Sequence, residues 1–274
     1  MEYGLYVSQI GEFPSDPRLA CAGDWLHLLP PAPLRAIYCG SEFCADLLPN
    51  LEALERFCLF ARDAGLEPVL LTPVVTTERL KLIDRLLQGL VSLSLAPAVV
   101  FNDWGVLNLL LGSYPGFPRR SGRLLNRGLR DPRLLEGKDA SGSKGRQPGR
   151  MRSLLLQFGV EAVESDADLE GGYLGEEPAG VQRVLHFPFV AAATGRNCLI
   201  KADGASSPEG CFTKGLGLSC AALCRGRSHS ITRADSKVPL WRAGNTVFYQ
   251  VSAMGAKAHL AQADRVVLYE RPTA

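Results

Sequence analysis

The sequence has no segment typical of an exported or membrane-spanning chain. It opens with MEYGLYVSQIGEF, in which no basic stretch precedes an apolar one, so no signal peptide is predicted. A transmembrane helix needs about 18 or more apolar residues in a row. The most apolar stretch, LLQGLVSLSLAPAVVF, is interrupted by glycine, serine and proline. We therefore expect a cytoplasmic protein without a membrane span.

The sequence also lacks the common signatures of hydrolases and of dinucleotide-binding enzymes. Peptidase chemistry needs a nucleophile beside a base, or a metal held by H-E-x-x-H. The four histidines are scattered, and none has an evident serine or carboxylate companion. No G-x-G-x-x-G follows the first predicted strand, which argues against a dinucleotide fold. The residues thus do not support peptidase activity, and whether the chain is an enzyme stays open.

What the sequence does contain is the composition of an ordinary globular protein and an unusual number of thiols. Its 274 residues are 46% apolar and 21% charged. A chain of this length buries a large core without disulfides, so its eight cysteines call for another explanation. In a reducing compartment, clustered cysteines favour metal binding or redox chemistry.

Short apolar runs alternate with helical patterns through the first half of the chain. Strands are predicted at 35–40, 67–75 and 96–103, and helices at 48–65, 76–93 and 104–112. Such alternation favours parallel strands covered by helices. We therefore predict an α/β fold, a (β/α) barrel that is complete or partly irregular, with a doubly wound sheet as the alternative.

The second half is less regular and richer in cysteine. Strands are predicted at 160–166 and 183–193, with closing strands at 244–252 and 264–271. No internal repeat or sharp change of composition marks a boundary, so we expect one barrel-like domain over 1–274. Residues 137–150 are rich in glycine, serine and charge and predict a flexible basic loop.

Basic residues concentrate in one segment. Residues 118–152 hold eleven Lys or Arg against three acidic residues, a net charge of +8 in a chain whose total is +2. We favour a solvated insertion, and the alternative is a platform for an acidic substrate or for RNA phosphates. The segment contains no aromatic residue, which argues against recognition of single-stranded bases.

The stretch GCFTKGLGLSCAALCRG carries three of the eight cysteines. If Cys220 and Cys224 lie on a helix, their Cβ atoms are about 5–6 Å apart. That is too far for an easy disulfide, which needs roughly 3.5–4.5 Å, but it suits two thiolates on one cluster. An iron–sulfur centre, a zinc site and unrelated buried thiols all remain open on spacing alone.

Several motifs, AIYCGSEFC, VFNDWGVLNLL, GRLLN and TGRNC followed by C-x(3)-C, occur in the order found in one family. In these the chain resembles the collagenase-like peptidase family, peptidase U32, of the UbiU/UbiV type, and is most similar to the UbiV type. The resemblance spans roughly residues 34–226. The matching positions are Cys44 after the strand end, Gly195–Arg196–Cys198 with one residue inserted, Cys220 and Cys224, Asp103 with Gly105, Val106 and Asn108, and Gly122 with Leu125 and Asn126.

The resemblance implies a [4Fe–4S] cluster on Cys44, Cys198, Cys220 and Cys224 within a barrel-like fold. It implies an anaerobic role, the oxygen-independent hydroxylation of an isoprenoid quinone precursor or a similar small aromatic or prenylated substrate, in a heterodimer with a related family member. The gap between Cys198 and Cys220 is longer than in the family pattern, so Cys211, or Cys39 near the first strand, could replace a ligand. An RNA-hydroxylating or RNA-binding relative and a non-catalytic, metal-stabilised interaction subunit are the alternatives.

Two further residues are candidates for catalysis. Asp103 follows a predicted strand, at the end where barrel enzymes place their sites, and the resemblance implies that Asp103 and Asn126 line the pocket. The competing interpretation of Asp103 is a helix cap, which aspartate makes well. His186 also lies near a strand end, where a hydrogen-bonded core histidine is the more common finding.

Overall fold

A closed barrel of eight parallel strands forms the centre of the molecule. The computed structural model describes residues 1–8, 10–11, 13–126, 155–167, 180–195, 198, 200–201, 220–232, 234, 236 and 238–273. In spatial order the barrel strands are β1 (Glu2–Tyr6), β12 (Arg265–Leu268), β7 (Gln182–Phe187), β6 (Val160–Asp166), β5 (Arg119–Ser121), β4 (Ala98–Phe101), β3 (Glu67–Leu71) and β2 (Leu34–Gly40). The predicted α/β barrel is confirmed, and the barrel closes where β1 pairs with both β2 and β12.

Three helices cover one side of the barrel. They are α1 (Leu51–Asp63), α2 (Thr77–Ser92) and α3 (Trp104–Gly112). Each begins at a polar residue whose side chain accepts a hydrogen bond from a backbone N–H of the first turn, namely Asn50, Thr76 and Asp103. Their apolar faces bury Leu54, Leu87 and Leu110 against the outward side chains of β2 to β4.

A second sheet of four antiparallel strands is inserted between β7 and β12. Its order is β8 (Phe189–Thr194), β11 (Thr246–Gln250), β10 (Leu240–Ala243) and β9 (His229–Ile231), and α4 (Ala253–Leu260) follows it. Phe189, Ala191 and Phe248 of this sheet join the apolar cluster of the barrel interior. The sheet therefore covers part of the mouth formed by the carboxyl ends of the barrel strands.

Two predictions for the second half need correction. The segment 244–252 does not close the barrel, because β11 pairs antiparallel with β8 and β10. The segment 183–193 is not one strand, because it divides at Pro188 into β7 in the barrel and β8 in the covering sheet. Proline has no N–H to give to a ladder, so a strand ends there readily.

The predicted loop at 137–150 lies outside the described residues. Within the part of the chain that the structure describes, no helix is both long and apolar enough to cross a membrane.

Candidate functional site

Polar side chains gather where the barrel strands end. Glu42, Asn102, Arg123, Asp166 and His186 each lie at or just beyond the carboxyl end of a different strand, and all are buried. In (β/α) barrels this end of the strands carries the functional site, while the opposite end serves stability. We therefore expect the functional site of this chain at the carboxyl mouth.

An arginine between two carboxylates occupies the centre of the mouth. Arg123 Nε lies 2.5 Å from Glu42 Oε2, and Arg123 Nη1 lies 2.8 Å from Asp166 Oδ1. The arginine side chain is 3% exposed and both carboxylates are fully buried. Burial acts to raise the pKa of Glu42, but the charge of Arg123, together with His186 and the hydrogen bond from Asn102, outweighs it, so this pKa lies below its ordinary value. The arrangement holds its ions in fixed positions.

Asn102 fastens this ion pair to the barrel wall. Its Nδ2 donates to Glu42 Oε1 at 3.1 Å and to the Thr72 carbonyl at 2.9 Å, and its Oδ1 accepts from Leu124 N at 2.8 Å. A Cβ on Gly122 would collide with the Asn102 amide. Glycine at 122 is therefore needed for the close approach of two strand ends.

His186 is fully buried beneath the mouth and has a partner on each ring nitrogen. Its Nδ1 lies 2.7 Å from the Tyr269 hydroxyl and its Nε2 lies 2.8 Å from Glu164 Oε2. Tyr269 in turn stacks on Tyr6, with ring centroids 5.0 Å apart. These contacts are those of a hydrogen-bonded core histidine, the more common interpretation of its position in the sequence.

A second ion network fills the amino end of the barrel. Arg120 and Arg265 share Glu67, and each also reaches the hydroxyl of Tyr38. Arg265 binds Glu2 as well. Glu67 and Glu2 keep 33% and 25% of their side-chain surface in solvent. This network closes the barrel between its first and last strands.

The four predicted cluster ligands lie in one region at the carboxyl mouth. Cys224 is part of the apolar cluster of the barrel interior, and Cys44, Ala222 and Ile200 pack against it. Cys198 and Cys224 are buried, whereas Cys44 and Cys220 are partly exposed. All four thiols are free.

The thiols of this group act on one another electrostatically. Burial raises the pKa of Cys44 to about 11, and the charges of Asp46, Cys224 and Cys220 contribute in the same direction. Burial also raises the pKa of Cys224, and the charges of Cys198 and Cys220 raise it further. Ionisation of Cys44 and of Cys224 is therefore disfavoured by burial and by charge on their neighbours, and a bound cation would compensate it.

Hydrogen bonds hold the loops that carry these cysteines. Ser41 Oγ accepts from Cys44 N at 2.9 Å, which fixes the loop after β2. Asn245 Nδ2 donates at 2.7 Å to both the Phe43 carbonyl and the Gly195 carbonyl. One side chain thus ties the residue before Cys44 to a residue three positions before Cys198.

Charge near Cys44 is balanced locally. Asp46 Oδ2 lies 3.3 Å from Lys201 Nζ, and the same carboxylate binds Arg79. Lys201 is engaged by this pair. Arg225 follows Cys224 directly and has an exposed side chain.

The local structure around Cys220 and Cys224 differs from the helix considered above. Residues 223–226 form a turn, with Arg225 N donating to the Ala222 carbonyl and Arg227 N to the Cys224 carbonyl. Ala222 and Gly226 both have positive φ, at 53° and 65°. Residues with positive φ interrupt a right-handed helix, so Cys224 lies in a turn and Cys220 precedes it in irregular chain.

In the described part of the chain, no three His, Cys, Asp or Glu side chains surround one point closely enough to hold a single metal ion. A cube of four irons and four sulfides keeps its cysteine ligands further apart than one ion does. Four free thiols in one electrostatic neighbourhood are the donor type that such a cube requires.

Of the two alternative cluster ligands, Cys39 and Cys211, the structure describes only Cys39. Cys39 belongs to the cluster between β2 and the helices, where it lies near Cys58. Burial and the charge of Cys58 raise its pKa well above the ordinary value. Cys39 thus belongs to a different apolar cluster from Cys224, although both residues line the cavity described below. Cys211 lies outside the described residues.

Asp103 and Asn126 are both engaged with the backbone. Asp103 Oδ1 accepts from Gly105 N at 2.7 Å, which caps α3, and its Oδ2 accepts from Val75 N at 3.3 Å. Asn126 Nδ2 donates to the carbonyls of Ser121, Gly122 and Glu164. Both contact sets fasten strand ends, and a catalytic role for either residue stays a prediction.

Part of the basic segment is inside the barrel. Residues 118–126 are described, and within them Arg120 and Arg123 are buried in ion pairs. The Arg119 guanidinium donates hydrogen bonds to the carbonyls of Phe158 and Pro115. The described arginines of this segment are therefore committed to internal contacts.

Sequence reasoning did not identify the Glu42–Arg123–Asp166 group. In the sequence, Glu42 lies within the motif SEFC, where only the cysteine suggests a ligand, and Arg123 lies within the basic segment 118–152, which suggests a solvated surface. The available signal was positional, because each residue lies within two positions of the carboxyl end of a strand.

No family model matches this chain, and no curated protein matches it. Among solved structures it is similar to the U32 peptidase Mk0906, with 13% identity, a TM-score of 0.47, and coverage of 99% of this chain and 93% of that one. It is also similar to a candidate copper homeostasis protein, CutC, from Streptococcus agalactiae, with 12% identity, a TM-score of 0.40, and coverage of 72% and 90%. The fold assignment rests on the strand pairing described above.

Proposed function

We propose that this chain is an iron–sulfur protein that holds a [4Fe–4S] cluster at the carboxyl mouth of its barrel. Cys44, Cys198, Cys220 and Cys224 would be the ligands. The observation that supports the proposal is that these four free thiols come from three separate loops, with Cys220 and Cys224 near enough to raise the pKa of Cys44, and Cys198 and Cys220 near enough to raise that of Cys224.

The protein residues would contribute positioning and charge. The thiols must lose their protons on binding, and the irons supply the positive charge that their mutual repulsion demands. Ser41 and Asn245 hold two of the loops in place. Burial of Cys198 and Cys224 keeps water from that side of the centre. When bound, such a cluster supplies one-electron transfer.

The resemblance of the sequence to the UbiU/UbiV type of the collagenase-like peptidase family extends the proposal. The chain would then act with a related partner in the oxygen-independent hydroxylation of an isoprenoid quinone precursor or a similar aromatic compound. The described arginines of the basic segment add no support to the RNA-binding alternative, because they are engaged internally.

Metal analysis after anaerobic purification tests the cluster. We expect about four irons and four sulfides per chain, with a broad visible absorption that fades on exposure to air. Cys220→Ser and Cys44→Ser should each lose most of the iron. Cys39→Ser is the matched control, since it removes a thiol from a neighbouring position outside the group, and it should retain the iron.

A colourless, iron-free wild-type protein that is stable would contradict the proposal. Stoichiometric zinc in place of iron would favour the metal-stabilised interaction subunit. Loss of iron in Cys39→Ser but not in Cys44→Ser would move the ligand set to the other side of β2.

A further inference from the structure

A cavity of about 450 Å³ opens beside the cysteine group. Its walls come from the ends of β1 and β2, from the outer part of α1, from the turn that carries Cys224, and from residues 272–273. This volume is within the range of sites for small organic molecules. Neither the fold nor the proposed cluster requires a cavity here.

Apolar side chains make most of the wall. They include Val7, Leu47 and Phe57, and Ala53 of α1 adds a small side chain to the same surface. Such a lining favours a hydrocarbon body over a sugar or a nucleotide, because burying polar groups against it without partners is costly.

The charged lining is of one sign. Arg56 and Arg225 face the cavity, and none of the described lining residues is acidic. Arg225 has no ion-pair partner among the described residues. Arg56 pairs with Glu52 at 2.8 Å, but both side chains are more than half exposed. A surface pair of that kind contributes little, so Arg56 can exchange Glu52 for a ligand.

We propose that this cavity binds an apolar organic carboxylate, with its carboxylate at Arg225 and Arg56 and its hydrocarbon body against Val7, Leu47 and Phe57. Guanidinium groups suit this anion because they donate two parallel hydrogen bonds to it. Cys224 forms part of the same wall. If the proposed function holds, the bound molecule lies next to a cluster ligand and the cavity is the substrate site. The binding itself does not depend on the cluster.

A matched pair of probes tests the charge requirement. Biphenyl-4-carboxylate and biphenyl-4-carboxamide have nearly the same shape and differ in charge. In titration calorimetry, the wild-type protein should bind the carboxylate at least about ten-fold more tightly than the carboxamide. This is the difference expected from one charge-assisted hydrogen-bonding contact. Equal affinity for the two probes, or no binding of the carboxylate, overturns the proposal.

Three variants locate the binding. Arg225→Gln should remove most of the preference for the carboxylate, whereas Arg227→Gln, an exposed arginine two residues away that does not line the cavity, should retain it. Ala53→Phe fills the cavity from a partly exposed helix position and should abolish binding of both probes, while circular dichroism confirms the fold. Unchanged binding in Arg225→Gln or in Ala53→Phe overturns the assignment to this cavity.

Iron measured on the same samples separates the two proposals. Selective carboxylate binding by an iron-free protein supports the cavity and contradicts the cluster. An iron-loaded protein that does not bind the carboxylate contradicts the cavity and leaves the cluster standing.

Discussion

The two ends of the barrel both hold buried ions, but the ions are placed differently. At the amino end, Arg120 and Arg265 bind Glu67 and Glu2, whose side chains are 33% and 25% exposed. At the carboxyl end, Arg123 binds two carboxylates with no exposure at all. Glu67 and Glu2 can still be solvated if an arginine is lost, whereas Glu42 and Asp166 cannot, although Arg120 also lies 3.7 Å from the fully buried Glu164.

The carboxyl end also holds the group of free thiols and the cavity. Burying ions in full is costly unless every one is paired. We infer that this cost is tolerated at the carboxyl mouth because it fixes the loops around the site. The amino end needs only to close the barrel, so partly exposed pairs are sufficient there.

Removing one arginine from each end should give the largest difference. Arg123→Met leaves Glu42 and Asp166 buried without a cation, and we expect a loss of about 3–5 kcal/mol in the free energy of unfolding. Arg265→Met leaves carboxylates that water can reach, and its loss should be about 1–3 kcal/mol smaller. Urea unfolding of both variants checks this, and equal losses would remove the distinction between the ends.

The second-largest expected loss of stability comes from substituting Gly122 at the carboxyl mouth. Gly122→Ala places a Cβ against Asn102, whose amide holds Glu42, and we expect a loss of about 1–3 kcal/mol. Gly116→Ala is the control, because nothing lies within 4 Å of its added Cβ. Thermal unfolding compares the two, and a neutral Gly122→Ala would mean that Asn102 can move freely.

Acid should act on the carboxyl mouth through Glu42. Its pKa in the folded chain is below the ordinary 4.5, so its contribution to stability is complete above pH 4.5. That contribution is lost as the pH falls through the folded pKa. The stability difference between wild type and Glu42→Gln should therefore shrink as the pH falls below about 4.5. Urea unfolding at each pH measures it, and a constant difference would contradict the direction of the shift.

The smallest effect concerns Asp103. Asp103→Ala should cost about 1 kcal/mol by removing the cap of α3, and Asp103→Ser should restore most of that loss. Iron content and carboxylate binding should not change in either variant. If Asp103→Ser retains stability but loses binding, then Asp103 belongs to the site, as its position after β4 first indicated.

Much of the fold could be predicted from the sequence because its covering helices obey local rules. Apolar periodicity and polar caps identified α1, α2 and α3 within a few residues. The strands β1, β5, β9 and β10 were not predicted. β5 is the tripeptide RRS, and the side chain of Arg120 contacts partners on distant strands.

The candidate site was predictable only in part. Resemblance predicts Cys44, Cys198, Cys220 and Cys224 as ligands, but no local pattern reports that Arg123 will meet Glu42 and Asp166, which are 81 and 43 residues away. Periodicity assigns charged residues to the surface, so an ion pair in the interior contradicts the rule on which prediction relies. The cavity could not be predicted either, because residues from both ends of the chain line it.

The pairing of β1 with β12 has a consequence for biosynthesis. Glu2 and its partner Arg265 are 263 residues apart along the chain. During translation, β1 can pair with β2 early, but its other edge stays open until β12 has left the ribosome. An open parallel edge invites wrong pairing. The barrel wall is therefore complete only after β12 has been synthesised and has paired with β1.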